Sequence, residues 1–237
     1  MLTEEYHSLH KNYPSLDAIE IERVSRISRT IMQKDTPGIL KDMLPSDFSE
    51  ALLGDLCKHC EFVHAGLLVF APSLMEIQCL IGEIGFSVEH VFPSVIVKKR
   101  VSERYGVNDE SLHIHIVKGV LRGKDSPAKY IELFVFPQDT SSITQNIMHN
   151  ERLNELETHF AFQLLDRDVV ILQGVLSTLK TYGGFYDDGG GRNIFEEKAV
   201  SSGRGKQILY LSKVVQEVDG NSKMVRLEID CDASLML

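Results

Sequence analysis

Residues Lys129–Pro137 read KYIELFVFP, a buried β-strand with one discordant letter. Tyr130, Ile131, Leu133, Phe134, Val135 and Phe136 are apolar and mostly strand formers. Side chains alternate along a strand, so Glu132 shares a face with Tyr130, Phe134 and Phe136. An ionised carboxylate on such a face is costly unless a cation, a metal or several hydrogen bonds compensate it. The partner of Glu132 is therefore the question on which the reading of the chain turns.

Working outward, strand-like and helix-like segments fall in a repeated order. EFVHAGLLVFAPS, from residue 61, is strand-like and ends at Pro72-Ser73. LMEIQCLIGEIGF has helix length, and SVEHVFPSVIVKKR, SLHIHIVKGVLRG and KYIELFVFP follow as three strand candidates. After a connector, QDTSSITQNIMHNERLNE, the order begins again. ETHFAFQLL is strand-like, and DRDVVILQGVLSTLKTYGGF has Asp caps, a helical pattern and a Gly183-Gly184 stop. YDDGGGRNIFEEKAV, KQILYLSKVVQEV and KMVRLEIDCDA supply three more strands, with turns at SSGRGK and DGNSK. The layout is βαβββ twice, at residues 61–138 and 155–237.

Residues 1–60 differ and predict a helical appendage. In LDAIEIERVSRISRTIMQ, Ile21, Val24, Ile27 and Ile31 fall near helical spacing, and Asp17 with Glu20 resembles a capping box. Pro37-Gly38 breaks that pattern, and Ser46 is the expected cap of a second helix.

Two pairs stand at matched places in the repeat. Glu132 follows His64 by 68 residues (132 − 64), and Glu228 follows His159 by 69 (228 − 159). Imidazole nitrogen and carboxylate oxygen together suit a divalent zinc, nickel, iron, cobalt or manganese ion. Each residue also has a plainer reading. His64 and His159 could be core histidines bonded to backbone carbonyls. Glu132 could pair with a buried Lys or Arg. Arg226 and Asp230 share the Glu228 face, which offers a solvated strand edge as the alternative.

A duplicated βαβββ unit with His in its first strand and Glu in its last resembles the vicinal oxygen chelate superfamily of glyoxalase I, methylmalonyl-CoA epimerase and the extradiol dioxygenases. The matching stretches are FVHAG (His64), YIELF (Glu132), ETHFAF (His159) and RLEID (Glu228). The resemblance covers residues 61–237. It implies an α+β fold in which two modules form a half-open barrel around one metal ion, held by His64, Glu132, His159 and Glu228. It implies an isomerase or lyase acting on a small oxygen-rich substrate through a metal-bound enediolate, with Glu132 or Glu228 as the base. The alternative is a non-haem Fe(II) dioxygenase using His64, His159 and Glu228 as a facial triad, for which Glu132 would be a departure. Metal-free relatives that sequester small molecules, the bleomycin-binding proteins, supply a third reading. Some relatives pair modules across a homodimer, whereas a duplicated chain can close its own site.

Three further residues are candidates for substrate contact. His113 and His115 lie two apart and so point to one face of a strand, where they would serve if that face lines a cavity. Arg192, after the glycines of YDDGGGRN, would reach a substrate carboxylate if that turn closes as a lid. Neither this stretch nor SSGRGK carries the GK[ST] ending of a phosphate loop.

The whole chain sets the remaining expectations. Its 237 residues carry a net charge of −9, which argues against nucleic acid as a partner. No apolar run of membrane-spanning length and no signal-like N-terminus is present in the sequence, so no membrane partner is expected. Cys57, Cys60, Cys79 and Cys231 are too dispersed for a disulfide framework and predict a reducing, cytoplasmic compartment. The CKHC pair at Cys57 and Cys60 sits at the end of a helical pattern, where a redox pair would not.

Overall fold

A computed structural model describes residues 13, 15–122, 127–192, 206–216 and 222–235. Among these residues the chain is α+β, with seven α-helices and a mixed sheet of eight strands. In chain order they are α1 (Ala18–Gln33), α2 (Thr36–Met43), α3 (Glu50–His59), β1 (Cys60–Ala71), α4 (Leu74–Glu83), β2 (Ser87–Pro93), α5 (Ile96–Tyr105), β3 (His115–Leu121), β4 (Lys129–Pro137), α6 (Ser142–Asn154), β5 (His159–Leu164), α7 (Val169–Thr181), β6 (Tyr186–Gly191), β7 (Lys206–Gln216) and β8 (Ser222–Asp232). No helix among the described residues is long and apolar enough to cross a membrane.

The chain divides into two compact units. One takes residues up to Met32 with Ala65–Thr158, and the other takes Gln33–His64 with His159–Leu237. Within the first, the strand order is β2-β3-β4-β1; within the second, β5 is followed by β8, β7 and β6. Each unit thus orders its first, fourth, third and second strands side by side, so the repeat read from the sequence is a repeat of topology. In the second unit β5 pairs with β8 in parallel, and β8 pairs with β7 antiparallel.

The first unit is built around an apolar cluster of Leu68, Phe70, Ile116, Phe134, Phe136 and neighbours, joined by Val97 and Val101 of α5 and Ile147 of α6. Its helix α1 is held by charge as well as by Ile21, Val24, Ile27 and Ile31. Glu20 is fully buried between Arg23 Nη1 at 2.8 Å and Arg152 Nε at 2.7 Å. Arg104 reaches Glu151 at 3.0 Å and Glu157 at 2.6 Å. Burial pushes the Glu151 carboxyl up to about 7, and nearby Glu157 adds to the rise.

Several local expectations need correction. Asp17 does cap α1 through the Ile19 N–H, but Glu20 is committed to the arginines and is no capping-box partner. The first helix does stop short of Pro37-Gly38, at Gln33, but the pair also opens a helix that was not expected: Pro37 lies in the first turn of α2, where it lacks no needed N–H, and Asp35 caps the Gly38 N–H. Ser46 falls in a turn closed by Phe48 N–H donating to Pro45 O, and the cap position of α3 is Ser49, with the helix beginning at Glu50. SVEHVFPSVIVKKR is a strand only to Pro93; from Ile96 it is α5, whose buried Val97 and Val101 lie four apart and which ends at Gly106 in the left-handed region. The expected connector contains α6, capped by Ser141 through the Thr144 N–H. YDDGGG is strand β6, as the strand reading has it and not the turn, with an irregular step between Asp187 and Gly190, and residues 193–200 of that stretch lie outside the described residues. SSGRGK, apart from Lys206, and Asp219–Asn221 of DGNSK lie outside the described residues.

Candidate metal centre

The second unit assembles its candidate site on one face of the sheet. Residues directly opposite in register share a face, and Glu228 stands between Ala161 of β5 and Tyr210 of β7. His159 is two residues from Ala161 and therefore on the same face. The next rungs pair Ser212 with Arg226 and Ile208 with Asp230. The opposite face of β8 carries Leu227, Ile229 and Cys231, all buried, while α7 buries Leu172, Val175 and Leu179. An apolar face toward one layer and a buried polar face toward the other is what the alternation of RLEIDC specifies.

His64, on β1, joins His159 and Glu228 in a group able to hold a metal ion. Glu228 Oε1 lies 3.6 Å from His64 Nε2, and Glu228 Oε2 lies 3.2 Å from His159 Nε2. Each carboxylate oxygen thus addresses one imidazole. The two imidazole rings meet edge-on, with centroids 5.6 Å apart and an interplanar angle of 84°. Two ligand atoms roughly 2.1 Å from one ion and about 90–110° apart lie roughly 3.0–3.4 Å from each other. The observed separations are therefore close to those of ligands around a common centre. Side-chain exposure is only 3%, 1% and 2% for His64, His159 and Glu228, so little water competes for the donors. The donor set, two nitrogens and one carboxylate, fits a divalent first-row metal.

Surrounding side chains fix this arrangement. Tyr210 places its ring edge-on to His159 with centroids 5.5 Å apart. Asp230 is fully buried and bridges to Lys206 Nζ at 2.7 Å. Burial, with the adjoining Glu228, pushes the Asp230 carboxyl well above the usual range against the opposing pull of Lys206. Gln163 donates to the Asp230 backbone carbonyl. Arg226, 2% exposed, places Nε 2.6 Å from Asp188 Oδ2, and Ser212 Oγ also donates to Asp188. The face around Glu228 is thus a buried polar surface, not a solvated edge.

The other sequence-derived candidates are not members of that group. Glu132 belongs to the first unit, where Lys118 Nζ lies 2.9 Å from its Oε1 and both side chains are mostly buried. Lys118 stands directly opposite Glu132 across β3 and β4. His115 pairs with Val135, which places it on the face opposite Glu132; it is half-buried, and His113, before β3, is exposed. Arg192 is exposed just after β6. Cys57 and Cys60 sit at the junction of α3 and β1. Burial pushes Cys60 up to about 12 and raises Cys57, so neither is an activated thiol.

Sequence reasoning passed over Tyr210, Lys206 and Asp188. Each becomes visible only when the β6-β7-β8 register is known. Compared with protein-family models, curated proteins and solved structures, the chain matches none.

Proposed function

We propose that the chain is a metal-dependent enzyme of the vicinal oxygen chelate type, and that its chemistry is that of a non-haem Fe(II) dioxygenase acting on a small oxygen-rich substrate. The observation that carries this reading is the buried His64, His159 and Glu228 group, a two-histidine, one-carboxylate donor set. The second unit runs βαβββ, and the first keeps the same strand order with α5 inserted between β2 and β3, which supports the resemblance. An isomerase or lyase with four protein ligands asks for Glu132 as the fourth, and Lys118 is already its counter-ion.

In this reading His64, His159 and Glu228 hold the ion and leave part of its coordination sphere to substrate. The iron, when bound, supplies the one-electron chemistry that protein side chains lack. The chain's own contribution is to orient the three donors, to exclude water by their burial and to offer polar side chains along the Glu228 face. The test is anaerobic titration of the apo protein with Fe(II), followed by oxygen uptake in the presence of catechols. One iron per chain and substrate-dependent uptake are expected. Uptake with no iron bound, or stoichiometric iron that is silent toward every chelating substrate while the zinc or nickel form isomerises one, overturns the assignment.

A further inference from the structure

In the second unit α3 and α7 pack side by side and leave a cleft of about 360 Å³ between them. Small-molecule sites have volumes of roughly 300–1,000 Å³. The walls are apolar, with Leu52 and Leu56 from α3 and Val170, Ile171 and Val175 from α7. Gly174 lines it too, and a Cβ there would meet no atom within 4 Å, so room that a side chain could fill stands open. Val170 remains 72% exposed. The polar lining comes from Asp55, Thr178 and His59, the last residue of α3. His59 is held from two directions. Its carbonyl accepts from the Leu165 N–H at 2.9 Å, and its Nδ1 lies 2.6 Å from Asp166 Oδ2. A carboxylate only accepts, so Nδ1 carries the hydrogen and Nε2 of the neutral ring is the acceptor. Nε2 has no hydrogen-bond partner among the described residues. A His–Asp pair with side chains 33% and 45% exposed is worth little to stability. It does fix which ring nitrogen offers a lone pair.

We propose that this cleft binds a neutral, largely apolar molecule with one hydroxyl, a phenol or an alcohol, whose O–H donates to His59 Nε2 while its apolar body packs between Leu56 and Val175 and covers Val170. The cleft shares no residue with the His64, His159 and Glu228 group, and the proposal does not depend on a metal. The hydroxyl is singled out by what the cleft leaves unmet. Both carboxylates have partners, Asp55 in Lys58 at 2.7 Å and Asp166 in His59. One acceptor nitrogen remains, and it takes one hydrogen. An ammonium brings three donors and leaves two without partners. A carboxylate brings none and meets Asp55 and Asp166 as like charges. The apolar walls supply affinity in proportion to the surface they cover, and the nitrogen supplies orientation.

The test titrates the full chain at pH 8 with 4-propylphenol, with 4-propylanisole, in which a methyl group replaces the donor hydrogen, and with 4-propylbenzoate. Binding is followed by NMR of protein carrying nitrogen-15 in its histidine rings. 4-Propylphenol should bind at one site per chain and move the His59 Nε2 signal, with the anisole at least about fivefold weaker and the benzoate weaker still. His59→Phe keeps a ring but removes the acceptor, and should bring phenol and anisole to equal affinity. Gly174→Leu places a side chain in the open room and improves helix propensity, so it should fold as the wild type does and weaken 4-propylphenol at least about tenfold. Phenol and anisole of equal affinity in the wild type overturn the proposal, as does tighter binding of the benzoate. So does 4-propylphenol that fails to bind up to its solubility limit, or that binds Gly174→Leu as well as the wild type.

Discussion

Lys118 Nζ lies 2.9 Å from Glu132 Oε1, directly across the antiparallel pair of β3 and β4. The ammonium also sits 5.0 Å from the centroid of the Tyr130 ring. The discordant glutamate in KYIELFVFP thus faces a cation. At the corresponding rung of the second unit, Glu228 stands opposite Tyr210. A phenol does not neutralise a carboxylate, and there the carboxylate meets two imidazoles. The two halves of the repeat share their strands but part company at the residue opposite the glutamate.

Glu132→Gln should leave metal stoichiometry at the wild-type value, because the group of donors does not include it. It should destabilise the chain by about 1–3 kcal/mol, since Lys118 loses its charge partner in a mostly buried setting. Replacing both residues with apolar ones of similar size should recover most of that loss. Urea midpoints and metal analysis of the same samples check both halves. Loss of metal without loss of stability would return Glu132 to the ligand set.

Much of the fold was legible because apolar period and capping agree. Asp168 caps α7 through the Val170 N–H, and Leu172, Val175 and Leu179 are the buried stripe that the pattern gave away. Among the helices that the reading missed, α5 and α6 were hidden for opposite reasons. In α5 the β-branched run VIV imitates a strand, and only the spacing of Val97 and Val101 with Gly106 beyond marks a helix. In α6 the buried face includes Thr144 and Glu151, so a search for apolar periodicity passes it by. The candidate site shows the same limit. His64, His159 and Glu228 stand out because carboxylate and imidazole are conspicuous inside apolar strands. Lys118 does not, because its relation to Glu132 is one of register, 14 residues away along the chain (132 − 118), and register is a property of paired strands.

Glu151 makes stability depend on pH. Its carboxyl titrates near 7 in the folded chain, against 4.5 for an unperturbed glutamate. The folded state therefore binds more protons between these values, and stability from this group is present below pH 4.5 and lost as pH rises through 7. Glu151→Gln keeps one acceptor oxygen, for Arg104 or for the Glu157 N–H but not for both, while removing the titration. Between pH 5 and 8 the wild type should lose roughly 1–3 kcal/mol relative to the variant. Parallel urea curves at pH 5, 6.5 and 8 measure it. A wild type that gains stability over the variant as pH rises contradicts the assigned direction.

Gly190 controls where Asp188 sits. Its φ is +156°, and a Cβ there would lie 2.2 Å from the Ile208 carbonyl oxygen of β7. Gly190→Ala must push β6 away from β7, at a cost of about 1–3 kcal/mol in strain or lost pairing. The displacement reaches Asp188, two residues earlier, and hence its bond to Arg226. A lowered thermal midpoint should come with unaltered metal content. Gly184→Ala is the control, since no atom approaches its Cβ within 4 Å and only its φ of +74° is strained.

The three donors differ in what their loss should do. Glu228 addresses both imidazoles at once, with Oε1 3.6 Å from His64 and Oε2 3.2 Å from His159. Glu228→Gln keeps the shape but removes the charge that offsets a divalent ion and one of the two oxygens able to coordinate. A metal held with about 10 kcal/mol or more by a small set of donors should lose several kcal/mol, roughly 100-fold to 1000-fold in affinity, when its sole carboxylate is neutralised. His159→Ala should lose a similar amount and in addition open a void beside Tyr210, whose ring rests edge-on against the imidazole. The apo proteins should separate them further: Glu228→Gln relieves a buried carboxylate and should hold or raise the thermal midpoint, whereas His159→Ala should lower it. Competition of Fe(II) or Co(II) against a chelator, with the apo thermal midpoints alongside, reads all of these quantities. If Glu228→Gln binds the ion as tightly as the wild type does, Glu228 is only the hydrogen-bond partner of two core histidines, and the metal centre drawn on this face does not exist.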